Sequence, residues 1–286
     1  MDFGWYTSLI INSINYIYGR VEIAMKDVGG LLIDLDGTLY HGGRMIHGAD
    51  LLIAALRRAE LPFLFVTNNS SRTPAGVAAH LRGMGIEAKA EEVCTSSMAA
   101  ARYIAEESPG ATVAILGEEG LIQACSEAGL TLVSEAPQYV VQGIDRSFTY
   151  ESLARASRWI REGAKFVLTN PDLMLPSDNG VMPGAGTLGA SIEAASGVAP
   201  VVIGKPESHL ITYATALLGI KPDAAVVVGD NMRTDISAGA RAGCRTILVL
   251  TGLTTQDNLA QYQSVTGVAP DEICADLAEL MGTLGV

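Results

Sequence analysis

From Gly29 onward, short runs of Leu, Ile and Val punctuate stretches whose apolar residues recur at helical spacing. That alternation predicts parallel βαβ units. "LLIDL" reads as a strand, and "ADLLIAALRRAE" places Leu52, Ala55, Leu56 and Ala59 on one helical face. "PFLFVTNN" is the next strand. In "RTPAGVAAHLRGMG", Thr73 suits an N-cap, Pro74 the first helical position and Gly85 the stop. The helix "SSMAAARYIAEES" follows. Pro109 and Gly110 mark a hinge, after which the chain repeats the alternation independently. "TVAILG", "YVVQGI" and "KFVLTN" are expected strands there, and "EEGLIQACSEAG", "YESLARASRWIREG" and "TLGASIEAASG" expected helices. After "GVAP" the first pattern resumes with "VVIGKP", "HLITYATALLG", "AAVVVGDN", "TDISAGARAG" and "TILVLTG". The expected architecture is α/β: a doubly wound, Rossmann-like parallel-sheet core built from residues 26–106 and 201–286, with a second α/β unit inserted at residues 107–200.

Polar residues fall at strand ends. "LLIDLDGT", "FLFVTNNS", "VVIGKP" and "AVVVGDN" all read as core strands closing on them. Ligands of an open parallel sheet bind at the carboxyl ends of its strands, so Asp34, Asp36, Thr67, Asn68, Lys205 and Asp230 are expected at one edge. A single Asp or Asn after a strand is ordinarily a turn former or cap; four coincident strand ends favour a site. Crowded carboxylates repel, and a divalent cation is their natural counter-charge. Oxygen-only donors suit Mg²⁺. The Gly37 amide of the "DGT" turn, left open, and the Lys205 charge suit a phosphate. Asp34 can then act as a nucleophile and Asp36 as the acid and base that serves the leaving oxygen and the attacking water.

Composition narrows the partners. A net charge of −12 over 286 residues argues against a nucleic-acid backbone or an anionic membrane. Cys94, Cys125, Cys244 and Cys274 are widely spaced without a CxxC pair, so free thiols in a reducing, cytoplasmic setting are expected. His41, His47, His80 and His209 show no metal-ligand spacing and are expected at surface or packing positions. Residues 1–25 stand outside the pattern as an extension, expected to be a disordered arm. Their apolar stretch is broken by Asn12, Ser13 and Asn15 and is too short for a bilayer of roughly 30 Å; they lack the layout of a secretory leader. Trp5, Tyr6, Tyr16 and Tyr18 would give such an arm some capacity to dock.

"DLDGT", "TNN", "GKP" and "GDNMRTD" resemble the four motifs of the haloacid dehalogenase superfamily, and the position of the insert resembles its NagD-like, para-nitrophenylphosphatase-like subfamily IIA. The resemblance runs from about Gly29 to the C-terminus. It implies that Asp34 attacks phosphorus and Asp36 is general acid/base. Thr67 and the Asn68 amide would hold phosphoryl oxygens, and Lys205 would neutralise nucleophile and phosphate. Mg²⁺ would be bound by Asp34, the Asp36 backbone carbonyl and Asp230, with Asn231 and Asp235 behind them. About thirty residues separate Asp36 from Thr67, enough for a flap such as "YHGGRMIHG" but not for a domain. The long insert therefore resembles a C2 cap, which closes over the site and selects the leaving group. In the cap loop "TNPDLMLPSDNGVMPGAGT", Asn170 and Asp172 could reach a substrate hydroxyl, or could simply form turns. Association into homo-oligomers through the cap is implied as well.

The expected function is Mg²⁺-dependent hydrolysis of a small phosphorylated metabolite, such as a sugar phosphate or a nucleoside monophosphate, through an aspartyl-phosphate. A dehalogenase also uses a nucleophilic aspartate, but a halide leaving group gives Asp36 nothing to protonate. A phosphomutase would carry its cap at the other insertion point. A nucleotide-binding oxidoreductase lacks its GxGxxG after the first strand. A metabolite-binding or partner-binding module without turnover is the alternative of a different class, and retention of every reacting group disfavours it.

Overall fold

In the computed structural model, residues 28–177 and 180–286 are described. The N-terminal extension, with Trp5, Tyr6, Tyr16 and Tyr18, lies outside them. The first stretch contains β1 (Gly30–Ile33), β2 (Tyr40–His41), β3 (Arg44–Met45), α1 (Ala49–Arg58), β4 (Phe63–Thr67), α2 (Pro74–Gly83), β5 (Val93–Thr95) and α3 (Ser96–Glu107). The inserted stretch holds β6 (Thr112–Leu116), α4 (Glu119–Glu127), β7 (Thr131–Leu132), β8 (Tyr139–Gln142), α5 (Tyr150–Arg161) and β9 (Lys165–Leu168). It continues with β10 (Met174–Ser177), β11 (Gly180–Pro183), α6 (Ala185–Ser196) and β12 (Val201–Val202). The chain closes with α7 (His209–Leu218), β13 (Ala225–Gly229), α8 (Ser237–Ala242), β14 (Arg245–Val249), α9 (Leu259–Thr266), β15 (Glu272–Cys274) and α10 (Leu277–Leu284).

Two parallel sheets result. The first has the order β15-β14-β13-β1-β4-β5 and the second β12-β9-β8-β6-β7. In the first, the chain steps outward from β1 through β4 to β5 and returns on the other side as β13, so strand order reverses beside β1. Ligands bind at such a switch point. Strands β1, β4 and β13 are buried along their whole length. Leu31, Ile33, Phe65 and Val228 feed one core, while Leu32, Leu64, Val66 and Val227 feed the other. Burial on both faces explains why these strands read as unbroken apolar runs rather than as alternation. Each fully buried Leu or Phe contributes about 1.5–3 kcal/mol, so the strand ends carrying polar residues are held on a stiff frame. The second core also takes in Val113, Leu121, Tyr139 and Val141 of the inserted unit.

Capping follows the expected chemistry. The Thr73 hydroxyl accepts the Gly76 N–H at 3.1 Å and Pro74 opens α2. Thr95 and Thr149 cap α3 and α5 in the same way. Ala59 departs from its expected place on the buried face: α1 has ended, and Ala59 is exposed at its C-cap. The four cysteines are free and buried. Burial pushes the Cys125 thiol up to about 12 and Cys244 to about 11, so neither offers a thiolate near neutral pH.

One strand is placed differently from expectation. The sequence pattern puts "VVIGKP" in the first sheet, yet Val201 and Val202 pair in parallel with Val167 and Leu168 of β9. The ladder continues beyond them, with Ile203 donating to Leu168 at 3.0 Å and Gly204 to Thr169 at 2.8 Å. A strand of two residues carries no pattern that distinguishes one sheet from the other. Lys205 therefore reaches the edge of the first sheet from the second.

Candidate active site

The loops after β1, β4 and β13 meet the segment after β12 at one place. Among the described residues, one group of carboxylates lies close enough to share a metal ion: Asp34, Asp230 and Asp235 each offer an oxygen within 4.8 Å of the others. Lys205, 3% exposed, inserts its ammonium among them. It donates to Asp34 Oδ1, to Asp235 Oδ1 at 2.7 Å and to the Val66 carbonyl at 3.3 Å. Three carboxylates against one ammonium leave two negative charges, the number a divalent cation cancels.

The electrostatics express that imbalance. Burial, followed by Asp235, raises the Asp34 pKa well above the usual carboxylate range, against the pull of Lys205. Asp230 is pushed up to about 6 by burial and then by Asp235. Burial alone would lower Lys205, but Asp235 and Asp34 outweigh it and raise the ammonium pKa. The lysine is thus a fixed charge, and the carboxylates are the groups in need of a further cation. An oxygen-rich donor set with few protein ligands fits Mg²⁺ or a similar hard ion.

Asp230 is held in a tight seat. Its Oδ2 accepts the Leu253 N–H at 2.6 Å, and its backbone carbonyl accepts the Thr254 N–H at 3.1 Å. Two glycines make room for it: a Cβ on Gly252 would stand 2.0 Å from Asp230 Oδ2, and one on Gly37 would stand 2.5 Å from Asp230 Cγ. Gly37 also has φ +92°, where a side chain is strained. This corrects the sequence expectation for Gly37. Its N–H is not open to an anion, because it donates to the Tyr40 carbonyl at 2.7 Å and closes the flap turn. Its service to the site is clearance.

Asp36 is not in the carboxylate cluster; it is exposed, and its backbone bridges to Tyr40 at the start of the flap formed by β2 and β3. Partial loss of solvent raises its pKa, opposed by His41, the Gly42 N–H and His80. Asp235, expected behind the metal ligands, sits directly in the cluster; the first carbon of its side chain would lie 2.3 Å from a Cβ on Gly229. Asn231 supports it from the backbone, donating to Asp235 Oδ2 at 3.2 Å, while its side chain accepts the Arg233 N–H. Thr67 ends β4, and its hydroxyl accepts the Asn69 N–H at 3.1 Å. The Asn68 side chain faces Lys205 and Asp172, with Asn170 next to them.

Thr38, Gly252 and Leu253 were not singled out from sequence. The Thr38 hydroxyl lies 3.4 Å from both Asp34 Oδ2 and Asp230 Oδ1. Its signal was the third position of "DGT". Gly252 closes the stretch "TILVLTG", repeating the pattern of a polar or glycine strand end, and Leu253 comes next. The histidines behave as expected: His41 Nε2 is 2.7 Å from the Thr251 carbonyl, His80 and His209 pack edge-on against Tyr40 and Tyr103, and His47 is exposed. The His41 bond ties the flap to the loop that seats Asp230.

Comparison with known proteins points to one family. Residues 31–131 match a family model described as haloacid dehalogenase-like hydrolase, and residues 202–280 match one described as HAD-hydrolase-like. The 5'-nucleotidase YutF of Bacillus subtilis is 46% identical over 235 residues, which cover 82% of this chain and 92% of that protein. The p-nitrophenyl phosphatase from Archaeoglobus fulgidus superposes with a TM-score of 0.83 at 34% identity, covering 90% of this chain and 99% of that one. The glycerol phosphate phosphatase from Mycobacterium tuberculosis, solved in complex with calcium, gives a TM-score of 0.82 at 38% identity, covering 90% of this chain and 75% of that one.

Proposed function

Because this chain belongs to the haloacid dehalogenase-like hydrolases and is a phosphatase of their NagD-like subfamily, we propose that it hydrolyses small phosphomonoesters through an aspartyl-phosphate on Asp34. The observation that carries this reading is the convergence of Asp34, Asp230 and Asp235 around the buried Lys205 ammonium. Asp34, Asp230 and Asp235 would hold Mg²⁺, with the Asp36 backbone carbonyl as a further donor. When bound, the ion would neutralise the non-bridging oxygens of the phosphoryl group and the carboxylates that face it.

The chain's own groups would do the rest. Asp34 attacks phosphorus and the P–O bond to the leaving group breaks. Asp36 delivers a proton to the departing alkoxide, a role that the upward direction of its pKa favours. The same carboxylate then takes a proton from the water that attacks the aspartyl-phosphate, which restores both aspartates and releases inorganic phosphate. Thr67 and the Asn68 backbone amide steady the phosphoryl oxygens, and Lys205 holds the Asp34 carboxylate in place and opposes the rise in its pKa. A dehalogenase would leave the proton on Asp36 without a use.

Residues 107–200 act as the cap in this reading and exclude water while the acyl phosphate exists. Nucleoside monophosphates and glycerol phosphate are the substrate classes that these relatives support, and sugar phosphates present the same kind of small ester to the site. Four buried free thiols support a reducing, cytoplasmic setting. Among the described residues, no helix is long and apolar enough to cross a membrane.

Metal removal tests the reading. Treatment with EDTA should reduce phosphate release from p-nitrophenyl phosphate to the background rate, and added Mg²⁺ should restore it. Turnover that survives exhaustive chelation would contradict the role given to the carboxylate cluster.

A further inference from the structure

The loop after β4 is gripped from the inserted unit at three points. The Ser70 hydroxyl accepts the Ile144 N–H at 2.9 Å, the Ser71 carbonyl accepts the Gly120 N–H at 2.9 Å, and Asn68 Nδ2 donates to Asp172 Oδ2 at 3.0 Å. The third grip is the one that leads into the carboxylate cluster.

The Asn68 carboxamide is fully engaged. Its Oδ1 accepts the Lys205 N–H at 2.8 Å, and its Nδ2 donates to the Lys205 carbonyl at 2.9 Å as well as to Asp172. The oxygen faces a donor and the nitrogen faces two acceptors, which fixes the amide orientation. Asn68 thus pairs with the backbone of Lys205 much as a neighbouring strand would, and Lys205 in turn bridges Asp34 and Asp235. On the far side, Asp172 Oδ2 also takes Asn170 Nδ2 at 2.7 Å, and Asn170 Oδ1 accepts the Thr169 hydroxyl at 3.0 Å. Asn170 is 2% exposed. Asn68 and Asp172 are half-buried, but each end of their bond rests on a buried residue, Lys205 on one side and Asn170 on the other, so losing it disturbs groups that water reaches poorly.

We propose that Asp172 is a positioning residue: by holding the Asn68 carboxamide it sets the backbone of Lys205, and so couples docking of the inserted unit to placement of the ammonium between Asp34 and Asp235. This goes beyond the phosphatase reading and rests on it for its catalytic consequence. It also reassigns Asn170 and Asp172, which the sequence offered to a substrate hydroxyl. Asp172 Oδ2 and both polar atoms of the Asn170 carboxamide serve the connection between the two sheets. A cap that touched only the leaving group would select substrates. A cap that holds Asn68 also completes the machinery when it docks.

Two measurements test it. In the first, hydrogen–deuterium exchange is followed at the Lys205 amide in the wild type and in the Asp172→Ala, Asp172→Asn and Asn68→Ala variants. Asp172→Ala and Asn68→Ala should each speed that exchange by about tenfold or more, with the amides of β13 unchanged, since a lost local bond raises local opening without global unfolding. Asp172→Asn keeps an acceptor oxygen and should restore most of the protection. In the second, turnover is compared on p-nitrophenyl phosphate, glycerol phosphate and a nucleoside monophosphate. A reacting group displaced by about 1 Å can cost about 10²-fold, so Asp172→Ala should lower kcat by about tenfold or more. The loss should be equal for all three esters, KM should hold within about twofold, and the Asn68→Ala/Asp172→Ala double variant should lose no more than Asn68→Ala. Wild-type exchange at Lys205 in Asp172→Ala overturns the proposal whatever the activities are. A loss confined to KM and differing among esters also overturns it, in favour of direct substrate contact. A wild type that released no phosphate would sink the phosphatase reading instead, and the exchange data would still decide the coupling.

Discussion

Asp34→Asn should lower p-nitrophenyl phosphate turnover by at least about 10⁴-fold while the protein keeps its fold. A carboxamide nitrogen and oxygen match the carboxylate in shape but cannot form the acyl phosphate. The same change removes one of three mutually repelling charges: burial and Asp235 raise the Asp34 pKa, so the folded chain disfavours its ionised form. In the metal-free protein the midpoint of thermal unfolding should therefore hold or rise. A stable, inactive variant separates lost chemistry from lost structure. Thermal unfolding and phosphate release measured on one preparation check both halves. Near-wild-type turnover would remove Asp34 from the nucleophile's role.

Lys205→Ala should have the second-largest effect, and here stability and activity fall together. The ammonium, 3% exposed, bridges Asp34 and Asp235. Removing one partner of a buried ion pair leaves the other uncompensated, at a cost of about 3–5 kcal/mol. For a chain of this size that corresponds to a drop on the order of 10 °C in Tm. Loss of a preorganised charge at the reacting group should lower kcat by about 10²–10³-fold as well. Mg²⁺ should return part of the stability, because it supplies charge to the same carboxylates, but not the turnover. A Tm within a degree or two of the wild type would show that the three carboxylates do not depend on this lysine.

Much of this was legible in the chain. The runs that became β1, β4 and β13 are apolar on both faces, and their terminal Asp34, Thr67 and Asp230 mark the switch point by position alone. Thr73 and Pro74 announced α2 through a cap whose donors and acceptors are local in sequence. What stayed hidden depends on contacts between distant segments. Val201–Val202 is too short to declare its sheet, and only pairing with β9 places Lys205 on the inserted side. Gly37 looked free to bind an anion because the Tyr40 carbonyl that uses its N–H is brought back by the flap. The family resemblance places Asp235 behind Asp230, whereas the irregular turn at Met232–Ile236 folds it back against Gly229 into the cluster. The links from Asn68 to Asp172 and Lys205 join residues more than a hundred positions apart, which no local pattern encodes.

The most direct measurement is mass spectrometry of the protein quenched in acid within its first turnovers with p-nitrophenyl phosphate and Mg²⁺. The account predicts a phosphoryl group on the peptide that contains Asp34 in the wild type, and none in Asp34→Asn. A wild type that turns over freely while that peptide stays unmodified at every quench time, or a phosphoryl group found on another residue, would contradict it.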